Sequence, residues 1–300
     1  MFRSNRFTGP IVAHCMDERG QANYRLAACL RSASKMVTGM FANAGGYDQF
    51  MGRWSRLVAP LLLDFANIPD GWRLLDAGSG TGSLSIEIAA RRPHCQIVGI
   101  EPSEDYVAYA RSRVPNKCAK FDVGNIQELS FADCEFDASL SLLVFNFLSD
   151  PRKALGELHR VTRPGGRVCA ATWDYRDRMQ MLRIFWDAAV ELDVNAQQFD
   201  EKYMPLCQSG ELSALWKDAG LANVEERPLE IAMGFMSFND FWEPFLVGQG
   251  PAGAYVARLA ADHRIALREH VKRLLPEGAQ QGTFELRGRA WAVRGTVPEQ

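Results

Sequence analysis

The run Arg73-Leu74-Leu75-Asp76-Ala77-Gly78-Ser79-Gly80-Thr81-Gly82-Ser83-Leu84-Ser85 decides the fold of this chain. Its apolar start predicts a short buried strand, and the periodic apolar segment after Gly82 predicts a helix. The three alternate glycines between them allow positive backbone φ and the close approach of a ligand. The free N–H groups in the first turn of the helix would face that ligand. The stretch therefore predicts a strand, a glycine turn and a helix that bind a small molecule together.

The spacing of the glycines separates this turn from the dinucleotide fingerprint Gly-x-Gly-x-x-Gly. Gly82 comes one residue early, and Ser83 stands where the fingerprint has glycine. The pattern Leu-Asp-x-Gly-x-Gly-x-Gly resembles motif I of class I methyltransferases that depend on S-adenosyl-L-methionine (SAM). The resemblance implies that Asp76 and the glycines hold the methionine end of SAM. The alternative is a glycine turn that only joins a strand to a helix.

A second acid follows the next predicted strand. Gln96 to Glu101 forms a buried apolar run that ends in Glu101, about twenty residues beyond the glycine turn, which is the usual place of a ribose-binding acid. A carboxylate there can accept hydrogen bonds from both ribose hydroxyls. Pro102 and Ser103 then begin a helix, with Ser103 as its cap.

The segment from Ala119 to Phe131 resembles the third methyltransferase motif. In this alignment Asn125 stands where the family usually has Asp, and its side-chain oxygen can still accept a hydrogen bond from the adenine amino group. Asp122 takes that place if the register slips by three residues. We prefer Asn125 because it keeps the spacing to Leu129 and Phe131.

The fourth motif lies between two further predicted strands. Residues 136–144 predict a strand that would pass beneath the transferable methyl group, and the run Leu-x-x-Leu-His-Arg-Val-x-Arg-Pro-Gly-Gly-Arg-Val at 155–168 leads into the fifth strand. The four motifs together resemble small-molecule class I methyltransferases of the methyltransferase type 11, or UbiE-like, kind. The resemblance implies an α/β, Rossmann-like, seven-stranded and mostly parallel sheet with helices on both faces and an antiparallel last strand. The implied SAM-binding residues are Asp76, Ala77, Gly78, Ser79, Gly80, Gly82, Glu101, Pro102, Ser103, Asn125, Ile126, Ser141, Leu142 and Tyr47.

The remainder of the chain predicts additions to this domain. Residues 1–40 carry six basic side chains and predict a poorly ordered extension or a start that is not native, with a targeting segment as the alternative. Residues 41–300 are the predicted methyltransferase domain, with helical cap insertions at about 175–207 and 235–280. The helical pattern that begins near Tyr47 predicts either a lid over SAM or a helix that packs on the sheet.

Composition excludes several classes of protein. Apolar residues make up 47% of the chain, which favours a folded core over disorder, and the net charge of −2 gives no sign of nucleic-acid binding. Seven dispersed cysteines without a Cys-x-x-Cys pair predict reduced thiols in the cytoplasm and no metal site. No apolar run is long enough to span a membrane. The sequence leaves the oligomeric state open, with a homodimer as one alternative.

The predicted function is methyl transfer from SAM to a small apolar or aromatic metabolite. A general base is needed only if the acceptor atom begins protonated. The sequence assigns no catalytic residue, and Asp174, Tyr47 and Asn146 are weak candidates for a base. The alternative is a non-catalytic SAM-binding regulatory or assembly protein.

Overall fold

The computed structural model describes residues 44–115 and 117–299, so the prediction for residues 1–40 lies outside the described residues. The described chain forms one seven-stranded sheet. The strands are β1 (Arg73–Ala77), β2 (Gln96–Glu101), β3 (Ala119–Val123), β4 (Phe136–Leu142), β5 (Thr162–Trp173), β6 (Ala222–Phe235) and β7 (Phe284–Thr296). They lie in the order β3-β2-β1-β4-β5-β7-β6. Strands β1 to β5 pair in parallel, whereas β7 is antiparallel to both β5 and β6. The predicted fold class is confirmed, including the reversed last strand.

Helices surround this sheet and fill both predicted cap regions. The α-helices are α1 (Ala44–Tyr47), α2 (Arg53–Ala66), α3 (Ser83–Arg91), α4 (Glu104–Arg113), α5 (Pro151–Val161), α6 (Gln180–Leu192), α7 (Glu211–Asp218), α8 (Phe238–Trp242), α9 (Gly250–Arg258) and α10 (Ala261–Leu274). A π-helical segment (Asp48–Gly52) joins α1 to α2, and short 3-10 turns lie at Phe145–Phe147, Val194–Phe199, Glu201–Tyr203 and Glu243–Val247.

Two apolar cores lie on opposite faces of the sheet, because successive side chains of a strand point to opposite sides. Leu74 of β1 packs into the core that contains α2, α3 and α4, whereas Leu75 packs into the core that contains α5 and α7. The first core continues into the cap, where the rings of Phe185 and Phe245 stack with centroids 4.6 Å apart. The N-terminal helices and the cap are therefore packed as part of one face of the domain.

The direction in which successive strands are added to the sheet reverses at β1. From β1 the chain moves outward to β2 and β3, and then returns to the other side of β1 as β4. In an open parallel sheet this reversal leaves a crevice at the carboxyl ends of the strands, where ligands bind. The crevice here lies between the turn after β1 and the segment after β4.

Candidate active site

A cavity of about 490 Å³ fills this crevice. Residues from the ends of β1, β2 and β4, from the segment after β3 and from helices α1 and α2 line it. The lining residues are Tyr47, Ser55, Asp76, Gly78, Ser79, Gly80, Thr81, Ser83, Leu84, Glu101, Pro102, Ser103, Asp105, Tyr106, Asn125, Ile126, Leu142, Leu143, Val144, Phe147 and Leu148. Of the fourteen predicted SAM-binding residues, this cavity brings together all except Ala77, Gly82 and Ser141.

The glycine turn is fixed to the neighbouring strand. The backbone N–H groups of Gly78 and Ser79 donate to the carbonyl oxygen of Ile100, at 2.8 and 3.0 Å. Gly78 has φ +76°, and a Cβ on it would lie 2.6 Å from a methyl carbon of Val144. Only glycine fits there, because both the backbone angle and the neighbouring side chain exclude a larger residue. The turn therefore holds β1, β2 and the segment after β4 close together around the cavity.

Asp76 lies at the bottom of the cavity and is 1% exposed. Its Oδ2 accepts a hydrogen bond from the Ser85 hydroxyl at 2.6 Å, while its Oδ1 has no partner among the described residues. Burial raises the pKa of Asp76 to about 6. An acceptor atom that is buried without a partner is costly, so this side chain suits a ligand that brings a donor or a positive charge.

Glu101 ends β2 on the same cavity wall. Its two carboxylate oxygens accept hydrogen bonds from the backbone N–H groups of Gly80, at 3.2 Å, and of Ser103, at 3.1 Å. Burial raises the pKa of Glu101 to about 7, although these two bonds lower it and the nearby charge of Asp76 raises it further. The two N–H groups hold the carboxyl group at the cavity surface, where it can accept from ligand hydroxyls.

The third motif left Asn125 and Asp122 as alternative adenine-binding residues, and the structure places them in different surroundings. Asn125 follows β3 and lines the cavity, and its side-chain oxygen accepts the N–H of Gln127 at 2.9 Å. Asp122 lies within β3, is exposed and pairs with Arg111 at 3.5 Å, outside the cavity lining. This placement favours Asn125 over Asp122 as the residue that meets the ligand.

Three predicted residues lie behind the cavity wall. The Ser141 hydroxyl donates to the carbonyl oxygen of Ala77 at 2.8 Å and so joins β4 to β1. Gly82 has φ +84° at the start of α3, and a Cβ on it would lie 3.2 Å from the side chain of Ala110 in α4. These residues shape the cavity from outside its lining.

Sequence reasoning missed several lining residues. Tyr106 and Ser55 line the cavity, and neither is among the residues predicted to bind SAM. The ring of Tyr106 lies 5.7 Å from the ring of Tyr47, and the Tyr47 hydroxyl lies 3.3 Å from Ser55 Oγ. These contacts form a wall that depends on how helices pack over the sheet, for which the sequence contains no local signal.

The three weak candidates for a base differ in their surroundings. Asp174 forms an ion pair with Arg289 and accepts the N–H of Asp177, so it has a structural role outside the cavity. Asn146 is buried, and its amide nitrogen lies 3.5 Å from the sulfur of Met204. Of the three, only Tyr47 lines the cavity, and burial raises its pKa.

The polar atoms of the cavity fit SAM. Asp76 Oδ1, Ser79 Oγ, Ser83 Oγ and the Tyr106 hydroxyl are buried without a hydrogen-bond partner among the described residues. They border the same space as the carboxyl group of Glu101. SAM carries an ammonium group, ribose hydroxyls and an adenine amino group, so its donors match these acceptors.

Residues 75–170 match the family model of a methyltransferase domain, which covers the β1 end, the glycine turn and the strands up to β5. This stretch is similar to a methyltransferase domain. The match includes all four motifs from which the family was predicted.

Named methyltransferases from other organisms illustrate this similarity. The demethylmenaquinone methyltransferase of Thermus thermophilus is 36% identical over 118 residues, which are 39% of this chain and 52% of that protein. The malonyl-[acyl-carrier protein] O-methyltransferase of Erwinia billingiae is 33% identical over 143 residues, which are 48% of this chain and 55% of that protein. The chain thus spans about half the length of the curated relatives it matches.

Among solved structures, phosphoethanolamine N-methyltransferase 2 of Haemonchus contortus, in complex with phosphomonomethylethanolamine and S-adenosylhomocysteine, superposes with a TM-score of 0.55. The superposition covers 90% of this chain and 60% of that one at 18% identity, so it shows a shared fold.

The described residues also bear on membrane spans and metal sites. No helix within residues 44–115 and 117–299 combines the length and the apolar character needed to cross a bilayer. Within the same ranges, no three His, Cys, Asp or Glu side chains are grouped so that they could bind a metal ion.

Proposed function

We propose that this chain is a SAM-dependent methyltransferase that methylates a small apolar or aromatic metabolite. One observation supports this most strongly: Asp76, Glu101 and Asn125, from three strands that are neighbours in the sheet, line a single cavity. In the proposed complex Asp76 accepts from the ammonium group of SAM, Glu101 from the ribose hydroxyls and Asn125 from the adenine amino group.

SAM supplies an electrophilic methyl group when it is bound. The chain supplies position: the carboxyl and amide groups fix one ligand while apolar residues around Leu143 and Phe147 bound the remaining space. Orientation of two reactants can lower a barrier by roughly 7–11 kcal/mol. The apolar and aromatic character of this side of the cavity supports an apolar or aromatic acceptor.

Calorimetric titration tests the cofactor part of the proposal. We expect saturable binding of SAM and of S-adenosylhomocysteine, and no binding of NAD. Gly80→Val should abolish SAM binding, because Gly80 has φ +52° and any side chain there would disturb the turn that holds Glu101. Gly71→Val is the matched control, since Gly71 also has positive φ, at +86°, but lies in an exposed turn away from the cavity. Normal SAM binding by Gly80→Val would show that the cofactor lies elsewhere.

Incubation with labelled SAM and a metabolite extract tests the transferase part. Label that moves into a small organic molecule supports methyl transfer. SAM binding without any transfer would instead favour a regulatory or assembly protein, and NAD binding in place of SAM would point to an oxidoreductase.

A further inference from the structure

A second, smaller cavity of about 30 Å³ lies beside the proposed SAM cavity. Five of its eleven lining residues are aromatic: Tyr47, Phe50, Phe147, Trp173 and Tyr175. Glu201 is the one carboxyl group among its lining residues. We call this space the aromatic chamber. A space of this size holds about one or two water molecules, so it can receive only a small chemical group.

The aromatic chamber and the SAM cavity share a wall. Tyr47, Leu143 and Phe147 line both spaces. Leu143 has φ +65° directly after β4, and its N–H donates to the carbonyl oxygen of Ala171 at 2.8 Å. A buried leucine in this left-handed conformation costs roughly 1–3 kcal/mol, and such strain is concentrated at functional sites. The strained residue thus marks the boundary between the two spaces.

Glu201 is held in place in the aromatic chamber without an ion pair. It is 3% exposed, and its Oε2 accepts the indole N–H of Trp186. The nearby Arg183 and Lys202 both pair with the adjacent Asp200 instead. Within residues 44–115 and 117–299, no Lys, Arg or His forms an ion pair with Glu201. Burial of an acid without an ion pair is costly, so a specific role for the carboxyl group is a reasonable expectation.

We propose that the aromatic chamber receives the hydroxyl of a phenol-type methyl acceptor, and that Glu201 accepts the proton of this hydroxyl. The inference rests on the proposed function, because it assigns the acceptor of the same reaction. In this step the phenolic O–H bond breaks, the proton moves to a Glu201 carboxylate oxygen, and the electron pair stays on the phenolic oxygen, which becomes the nucleophile.

The surroundings of Glu201 favour a hydroxyl over other acceptor groups. A methylated ammonium group is bulkier than a hydroxyl and does not suit a chamber of about 30 Å³. A carboxylate acceptor would be repelled by Glu201 in the ionised form that takes up a proton. Burial raises the pKa of Glu201 to about 8, which is closer to the pKa of a phenol than an ordinary carboxyl group would be. The charged and titratable groups around Glu201 are Arg183, Asp200, Tyr175 and Cys207.

Binding of simple probes tests the recognition of the hydroxyl. With S-adenosylhomocysteine present at saturation, phenol should bind about tenfold more tightly than toluene, as expected for one added buried hydrogen bond. The measurement is the change in tryptophan fluorescence, because Trp173 lines the chamber. Glu201→Leu should abolish the preference for phenol, whereas Glu230→Gln, at an exposed acid of β6, should leave it unchanged. Equal preference in the wild type and in Glu201→Leu overturns the inference.

The pH dependence of phenol binding tests the proton-accepting role of Glu201, and it decides the question if Glu201→Leu does not fold. Free phenol, like a tyrosine side chain, stays protonated below about pH 9. With S-adenosylhomocysteine present at saturation, the affinity of the wild type for phenol should rise about tenfold between about pH 7 and about pH 9, because burial raises the pKa of Glu201 to about 8 and only the ionised carboxylate can take up the proton. The affinity of Glu201→Gln should stay constant over this range, because its amide can still accept the Trp186 N–H but cannot take up a proton. The same pH dependence in both proteins overturns the role of Glu201.

Calorimetry with S-adenosylhomocysteine distinguishes a failure of the proposed function from a failure of the acceptor assignment. If the wild type does not bind S-adenosylhomocysteine, the proposed function fails. If the wild type and Glu201→Gln both bind it, and the preference for phenol and its pH dependence are unchanged by substitution of Glu201, only the acceptor assignment fails.

Discussion

The SAM cavity and the aromatic chamber share a wall but are assembled in different ways. Most of the SAM cavity comes from residues 76–148, because consecutive strands of a parallel sheet bring their carboxyl ends to the same edge. The aromatic chamber draws on positions from Tyr47 to Pro251, which come from helices, from the end of β5 and from the segment after β4. The first space is therefore a property of the fold, whereas the second depends on this particular chain.

The carboxyl groups in the two spaces also differ in their partners. Glu101 accepts two backbone N–H groups of its own turn, so its position depends on local geometry. Glu201 is held by the indole of Trp186, a residue from a different helix. Substitutions on the two sides should therefore separate SAM binding from acceptor binding, and the following predictions test this on the SAM side.

The largest effect is expected for Asp76→Ala. The substitution removes the buried acceptor that the ammonium group of SAM would meet, and charge-assisted hydrogen bonds contribute about 1.5–3 kcal/mol each. We expect the affinity for SAM, measured by calorimetry, to fall about 100-fold or more. Phenol binding in the aromatic chamber should change much less, because Asp76 does not line it.

Asp122→Ala is the control for this prediction. Asp122 is the alternative to Asn125 that the third motif left open, and its side chain is 64% exposed beside Arg111. The substitution should leave SAM affinity unchanged. A large loss of affinity in Asp122→Ala would make Asp122, and not Asn125, the residue of the third motif that meets SAM.

A smaller, pH-dependent effect is expected for Glu101→Gln. Ribose hydroxyls bind the ionised carboxylate better, and burial raises the pKa of Glu101 to about 7, so SAM affinity should rise as pH increases through about 7. Below this pKa the ionised fraction, and with it the contribution to affinity, falls about tenfold per pH unit. Glu101→Gln should bind about tenfold more weakly than wild type near pH 8 and nearly equally near pH 6. Calorimetry at both pH values measures the difference.

The same shift in pKa affects stability without SAM. The pKa of Glu101 is higher in the folded protein than in the unfolded chain, so the folded state retains this proton over a wider range. Stability should therefore decrease as pH rises from about 4.5 to about 7. Glu101→Gln should show a smaller decrease in thermal unfolding, in which the contributions of the buried Asp76 and Glu201 remain. The exposed Glu104 supplies the control, since Glu104→Gln should keep the wild-type slope. Identical slopes in all three proteins would contradict the assignment of a buried proton to Glu101.

The contrast between the two spaces explains how much the sequence could predict. The sheet, the glycine turn and the placement of Asp76 and Glu101 depend on short motifs in which spacing along the chain fixes spacing in the fold. Ser141 was predicted to bind SAM, but its hydroxyl donates to the Ala77 carbonyl of β1 behind the cavity. This difference depends on the direction of one side chain. The sequence contains no pattern that marks Glu201 as a site residue, because Glu201 lies in a short 3-10 turn between helices where no periodic pattern exists.

The smallest effect is expected at Asn125, the residue that departs from the family pattern. Its side chain is exposed and already accepts the Gln127 N–H, so a charge at this position is partly screened by water. Asn125→Asp should tighten SAM binding by about two- to fivefold, which corresponds to about 0.4–1 kcal/mol for an exposed charged acceptor.

S-Inosylhomocysteine, which has a carbonyl in place of the adenine amino group, provides the matched ligand for this position. Because Asp can only accept, the preference for S-adenosylhomocysteine over S-inosylhomocysteine should be larger in Asn125→Asp than in wild type, whose Asn can also donate. Calorimetry with both ligands measures this preference. A preference that stays the same in wild type and variant would place the adenine away from Asn125. The turn after β3 would then shape the cavity without a hydrogen bond to the adenine.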